Sequence, residues 1–116
     1  LLEMRKYKMK YKNQKIMIDG IKFDSKREAE YFLYLKQLQK DGLISDLELQ
    51  PKFELQPHFK FNGKMVRSIN YIADFRYYDV KKGKYVIVDV KGMKTDVYRL
   101  KKKMFEYKYN MEIVEV

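Results

Sequence analysis

The run Tyr85-Val86-Ile87-Val88-Asp89-Val90 constrains this chain more than any other stretch. Its β-branched residues fill successive positions without the polar alternation of a strand that has one wet face. Such a strand needs cover on both sides, so it predicts a central strand in a sheet with other layers packed against it.

The flanking patterns supply those layers. Lys15-Ile16-Met17-Ile18, Asp19-Gly20 and Ile21-Lys22-Phe23 read as a hairpin, because Asp-Gly tolerates the positive φ angles of a two-residue turn. Ser25 with Glu28 three residues on has capping-box spacing. Ala29, Phe32, Leu33, Leu35 and Leu38 then carry a helical period to about Lys40, where Asp41-Gly42 stops it. From Lys52 to Phe61, Phe53, Leu55, Phe59 and Phe61 alternate with Lys52, Glu54, Gln56, His58 and Lys60, the pattern of a half-buried strand. Asn62-Gly63 turns this strand into a second one, from about Met65 to Tyr78. Lys82-Gly83 turns again into the Tyr85–Val90 run. Val97, Leu100, Met104 and Tyr107 recur at helical spacing over a helix from about Thr95 to Tyr109, and Glu112 to Val116 closes the chain as a short strand. The expected fold class is therefore α/β: a central mixed β-sheet with an α-β-β-β-α-β core, preceded by an N-terminal β-hairpin. Residues 1–116 are expected to form one domain, with 1–14 a loosely ordered basic arm and 15–116 the core. Leu1-Leu2-Glu3, ahead of Met4, is given no functional weight.

Composition excludes several kinds of chemistry. The 116 residues hold no cysteine and one histidine, His58, so disulfide frameworks, thiolate zinc sites, cysteine nucleophiles and multi-histidine metal sites are excluded, and a Ser-His triad is unattractive. No apolar stretch approaches a membrane span or a secretory core, so a cytoplasmic protein without a membrane partner is expected. The 26 Lys and Arg against 16 Asp and Glu give a net charge of +10. Nine basic residues fall between Lys81 and Lys103 against only Asp89 and Asp96, which suits a polyanion such as DNA. Within this stretch Lys94, Arg99, Lys101, Lys102 and Lys103 are the candidates for phosphate contacts; the competing reading is the solvated face of an amphipathic helix. Tyrosines alternating with basic residues at 5–11 and 107–109 can stack on bases or pack under lysine stems.

Four charged residues stand where the pattern asks for something else. Asp89 and Lys91, two apart on a strand, project to the same face at the end of the buried run, as a catalytic couple or a strand-end ion pair. Asp74 faces away from the apolar row Ile69, Tyr71, Ala73, Phe75 and Tyr77, and the turn at Lys81–Lys84 lays its strand beside that of Asp89. Two carboxylates can meet there, unless Asp74 pairs with Arg67, Arg76 or a lysine. Glu28 shares a helical stripe with Phe32 and Leu35, so it can face the sheet or serve the helix cap. Three acids and a lysine within a basic surface suit metal-assisted phosphodiester hydrolysis with Mg²⁺, or Mn²⁺ in its place.

The segments Ser25 to Ala29, Gln50-Pro51, Ala73-Asp74-Phe75 and Asp89-Val90-Lys91-Gly92, in this order, resemble the PD-(D/E)XK nuclease superfamily. The closer likeness is to its Holliday-junction-resolvase-like and transposon-end-cleaving branches and to small phage proteins of that type. The resemblance spans roughly residues 22–110. It implies a restriction-endonuclease-like fold and a Mg²⁺-dependent endodeoxyribonuclease acting on branched or structured DNA in phage or mobile-element recombination or replication, in the cytoplasm of a bacterial host. It also implies that Asp74 and Asp89 bind the metal, Lys91 serves the attacking water and Glu28 completes the site. Ala73 stands in place of the superfamily's proline, and Asp89 in place of the commoner glutamate, which shortens the reach to a metal. Symmetric cutting of two strands needs two sites, so a homodimer is expected. The alternatives are a non-catalytic nucleic-acid-binding module with a nuclease-like fold and a scaffold that binds an acidic protein.

Overall fold

The computed structural model describes residues 16–116. The expected basic arm at 1–14 and the tyrosines at 5–11 lie outside the described residues. The described chain divides into two compact units, residues 16–47 with 78–84 and residues 48–77 with 85–116.

In the first unit, β1 (Ile16–Ile18) and β2 (Ile21–Phe23) pair antiparallel through Asp19-Gly20, whose φ angles of 52° and 77° are those of the expected primed turn. Ile16, Ile18 and Phe23 are buried. Helix α1 (Lys26–Lys40) starts at an extended Ser25, whose Oγ accepts the Glu28 N–H at 3.0 Å. It lays Ala29, Phe32 and Leu35 inward, with the Phe32 ring 5.0 Å from that of Phe23. Gly42, at φ 78°, ends it by sending its N–H to Gln39 O while Leu43 N–H reaches Leu38 O. This Schellman closure explains why Asp41-Gly42 stops the helix.

The second unit is built around α2 (Asp96–Tyr109), which packs on the antiparallel pair β4 (Lys52–Gln56) and β7 (Ile69–Ile72). Phe53, Leu55, Tyr71, Ala73, Ile87, Tyr98, Phe105 and Ile113 form the core. Phe105 meets Phe53 edge-on at 4.9 Å and Tyr71 at 5.5 Å. β5 (Phe59–Phe61) and β6 (Lys64–Val66) make a separate hairpin on the expected Asn62-Gly63 turn, φ 50° and 76°. β9 (Lys84–Asp89) is buried from Val86 to Asp89, as its β-branched run requires. It pairs in parallel with β10 (Ile113–Glu115), aligning Glu115 with Asp89, and α2 is the crossover between them. With β8 (Phe75–Asp79) and β3 (Ile44–Leu49) these strands form a sheet in the order β10-β9-β8-β3.

The fold is thus α/β with mixed sheets and two helices, and four local expectations are revised. The strand expected over 52–61 breaks at Pro57, which has no N–H to give a ladder, and beyond it Phe59 and Phe61 leave the core. The strand expected over 65–78 divides into β6, β7 and β8, interrupted at Arg67-Ser68 and Ala73-Asp74. β3 was not expected; its Asp46 and Glu48 are the charges by which an edge strand avoids further pairing. Finally, α2 carries two apolar stripes. Of the one expected inside, Met104 packs against the core but Val97, Leu100 and Tyr107 are exposed, while Tyr98, Phe105 and Tyr109, one residue further round, bring larger rings to the sheet.

Candidate active site

Strand β9 carries the chain out of the core and ends on Asp89, a carboxylate only 1% exposed. Burying a charge is costly unless it is paired and hydrogen-bonded, and Asp89 has both kinds of partner. The Tyr71 hydroxyl donates to its Oδ2, and Lys91 Nζ lies 3.2 Å from its Oδ1. Lys91 lies two residues past the end of β9, so this ion pair forms within one segment. The backbone is held too: Val116 N–H donates to Asp89 O at 3.0 Å and Lys91 N–H to Val116 O at 3.1 Å.

Asp74 is fastened on either side of Asp89. Its N–H donates to Val88 O at 3.1 Å, and its Oδ2 accepts the Val90 N–H at 2.7 Å. From the other side Gln50 N–H donates to Asp74 O at 2.9 Å, and Ala73 N–H donates to the carbonyl of buried Pro51 at 3.1 Å. Gln50-Pro51 therefore clamps the break between β7 and β8, which is more than a simple turn. Gln50 holds a positive φ of 51° to do so, a conformation ill suited to a residue before proline.

The cluster continues through Tyr98. Lys91 Nζ sits 4.1 Å from the Tyr98 ring centroid, within cation–π range. The Tyr98 hydroxyl donates to Glu115 Oε2 at 2.7 Å, while Lys94 and Lys102 place Nζ 3.0 and 3.4 Å from Glu115 Oε1. These donors hold the Glu115 carboxyl at a pKa of about 2, the Tyr98 hydrogen bond contributing most. Burial raises the Tyr71 phenol well above the usual range, and the hydrogen bond to Asp89 and the charges of Asp89 and Asp74 raise it further. Burial, then the bond to Glu115, does the same to Tyr98. Both tyrosines are therefore neutral donors at any ordinary pH.

Of the expected site residues, Asp74, Asp89 and Lys91 come together in the second unit. Glu28 belongs to the first unit, in the opening turn of α1, where its N–H serves the Ser25 cap. Among the expected phosphate contacts, Lys94 and Lys102 are engaged by Glu115, Arg99 lies 3.7 Å from Asp96, Lys101 is half-buried and Lys103 is exposed. Tyr71, Tyr98 and Glu115 were not expected at the site. A tyrosine within the apolar row of residues 69–77 was the available signal, since a buried phenol needs an acceptor.

Among the described residues no three His, Cys, Asp or Glu side chains gather closely enough to hold a metal ion by themselves. Two carboxylates nevertheless fit Mg²⁺, which is commonly held by one or two carboxylates with the remaining positions left to water and phosphate oxygens. Tyr71 and Lys91 take one acceptor position on each oxygen of Asp89, and a carboxylate offers about four.

A family model matches residues 8–115, a span that includes every candidate residue named above. The chain belongs to the DUF1064 family. That family is described as proteins of unknown function. No curated protein and no solved structure matches this DUF1064 chain.

Proposed function

We propose that this DUF1064 chain is a metal-dependent endodeoxyribonuclease with a restriction-endonuclease-like core, hydrolysing phosphodiester bonds in branched or structured DNA. The observation that carries this reading is the pinning of Asp74 to the backbone on both sides of Asp89, with Lys91 on the Asp89 carboxylate. Asp74 and Asp89 are the residues to hold Mg²⁺ or Mn²⁺, which when bound would polarise the scissile phosphate and acidify a water. Lys91 offsets negative charge developing on the phosphate and orients the attacking water by donating to its oxygen. Tyr71 keeps Asp89 in place. The net charge of +10 supports attraction to a polyanion. A phage or mobile-element origin, action in a bacterial cytoplasm and a homodimer belong to the same proposal. No described helix is long and apolar enough to cross a membrane.

A second reading, a nucleic-acid-binding module without chemistry, is favoured by one observation: both oxygens of Asp89 already have protein partners. Incubating the chelator-stripped protein with Mg²⁺ or Mn²⁺ and linear, flapped and four-way DNA separates the two. The nuclease reading expects cleavage by the wild type, none in chelator and none by Asp89→Ala. Salt-sensitive binding that ignores chelator and Asp74→Asn, without cleavage, favours the second reading.

A further inference from the structure

The β5–β6 hairpin has an unusual surface. Phe59 is 40% exposed, Phe61 63%, Met65 59% and Val66 37%, so a two-stranded ribbon of three residues a side presents apolar groups to water. A lone ribbon of this length is marginal in water, and clustered exposed apolar side chains mark a binding surface. The register is Phe59 opposite Val66, Lys60 opposite Met65 and Phe61 opposite Lys64. One face therefore carries Phe59, Phe61, Val66 and Lys64, and the other Lys60 and Met65.

Charge identifies the occupant. Between Glu54 and Asp74 the sequence holds no acidic residue, while His58, Lys60, Lys64 and Arg67 are all exposed. An acidic partner suits that surface, and the rings narrow the choice. Phe59 and Phe61 stand two residues apart on one face, a separation of about 6.6 Å along the strand. That is close to twice the ~3.4 Å step between stacked nucleotides, so one flat base fits between two rings. Lys64, opposite Phe61 on the ring face, meets a flanking phosphate, the combination by which single strands are held without reading sequence. Paired bases within a duplex are already stacked and are not free to enter.

We infer that the β5–β6 hairpin grips DNA at an unpaired base, stacking it between Phe59 and Phe61 while Lys64, on the same face, and the exposed Arg67 contact the neighbouring phosphates. This deepens the nuclease reading, and rests on it only in taking DNA as the partner: it makes the substrate DNA with unpaired nucleotides next to a duplex. The hairpin leaves the β4–β7 pair at the Gln56–Ile69 end, and Asp74 follows the other end of β7. The path from Ile69 to Asp74 is at most about 17 Å, or about five base pairs of duplex.

The test is fluorescence anisotropy with the full chain in chelator, using a labelled single strand, a forked duplex and a blunt duplex. Stacking one base is worth about 5- to 150-fold in affinity. The Phe59→Ala/Phe61→Ala variant is therefore expected to lose at least about tenfold on the single strand and fork, with less than about twofold change on the blunt duplex. Phe61→Trp keeps a stacking face and retains fork affinity, which separates stacking from a folding defect. Unchanged fork binding by the double alanine variant, no wild-type binding to either unpaired substrate, or equal losses on all three DNAs would overturn the inference. So would a wild-type dimer that the double variant converts to monomer while fork binding persists, since the hairpin would then serve self-association. Binding is read without metal, so a chain that grips forks but never cleaves them keeps this inference and defeats the nuclease reading; one that cleaves while the double variant binds normally does the reverse.

Discussion

Replacing Tyr71 by phenylalanine removes one oxygen from the centre of the candidate site and little else. The ring stays where it is, with the rings of Phe105, Phe53 and Tyr98 at centroid distances of 5.5, 6.3 and 6.3 Å. What disappears is the hydroxyl that donates to Oδ2 of Asp89, leaving that carboxylate with Lys91 as its side-chain partner. A hydrogen bond to a charged group contributes about 1.5–3 kcal/mol, and Asp89 is too buried for water to substitute readily. Tyr71→Phe is therefore expected to lower stability by about 1.5–3 kcal/mol, seen in urea titrations as a lower midpoint with an unchanged slope. Asp89→Asn and the double variant complete a cycle whose coupling energy is expected at about 1–3 kcal/mol. A Tyr71→Phe loss below about 0.5 kcal/mol, the range of an unremarkable surface change, would refute the reasoning, because the hydroxyl would then not be holding a buried charge.

Two other predictions concern stability. Glu115 has a folded pKa of about 2, below its ordinary 4.5, so its stabilisation is fully present above about pH 4.5 and is lost as pH falls toward 2. Glu115→Gln is expected to flatten the fall of the urea midpoint across that interval and to leave the slope near neutrality unchanged. Gly42→Ala puts a Cβ into open space but keeps φ at 78°, so its cost is conformational alone, about 1–2 kcal/mol by denaturant titration.

Local chemistry made part of this structure legible in the sequence. Asp19-Gly20 and Asn62-Gly63 turn where two-residue turns need positive φ, Ser25 caps α1, and Val86-Ile87-Val88 of β9 are buried because none of the three suits water. A helix of crossover length between β9 and β10 permits the parallel pairing they make. Hydrophobic alternation could not show that Pro57 would take Phe59 and Phe61 out of the core, since the pattern runs straight through it. Nor could periodicity choose between the two stripes of α2, where ring size against β4 and β7 decided. At the site, Asp74, Asp89 and Lys91 were visible as charges out of pattern. Glu115 was hidden, and Tyr71 signalled only that its phenol needs an acceptor, because the groups they reach depend on cross-strand neighbours fixed by register and tertiary packing.

The proposed nuclease requires Asp74 and Asp89 together to hold a hard dication. Crystals soaked in Mn²⁺ and measured for anomalous scattering test it directly. A single peak is expected between the two side chains, roughly 2.1 Å from an oxygen of each, that disappears in Asp89→Ala. A map with no peak there, and with Lys91 still on Asp89, would contradict it.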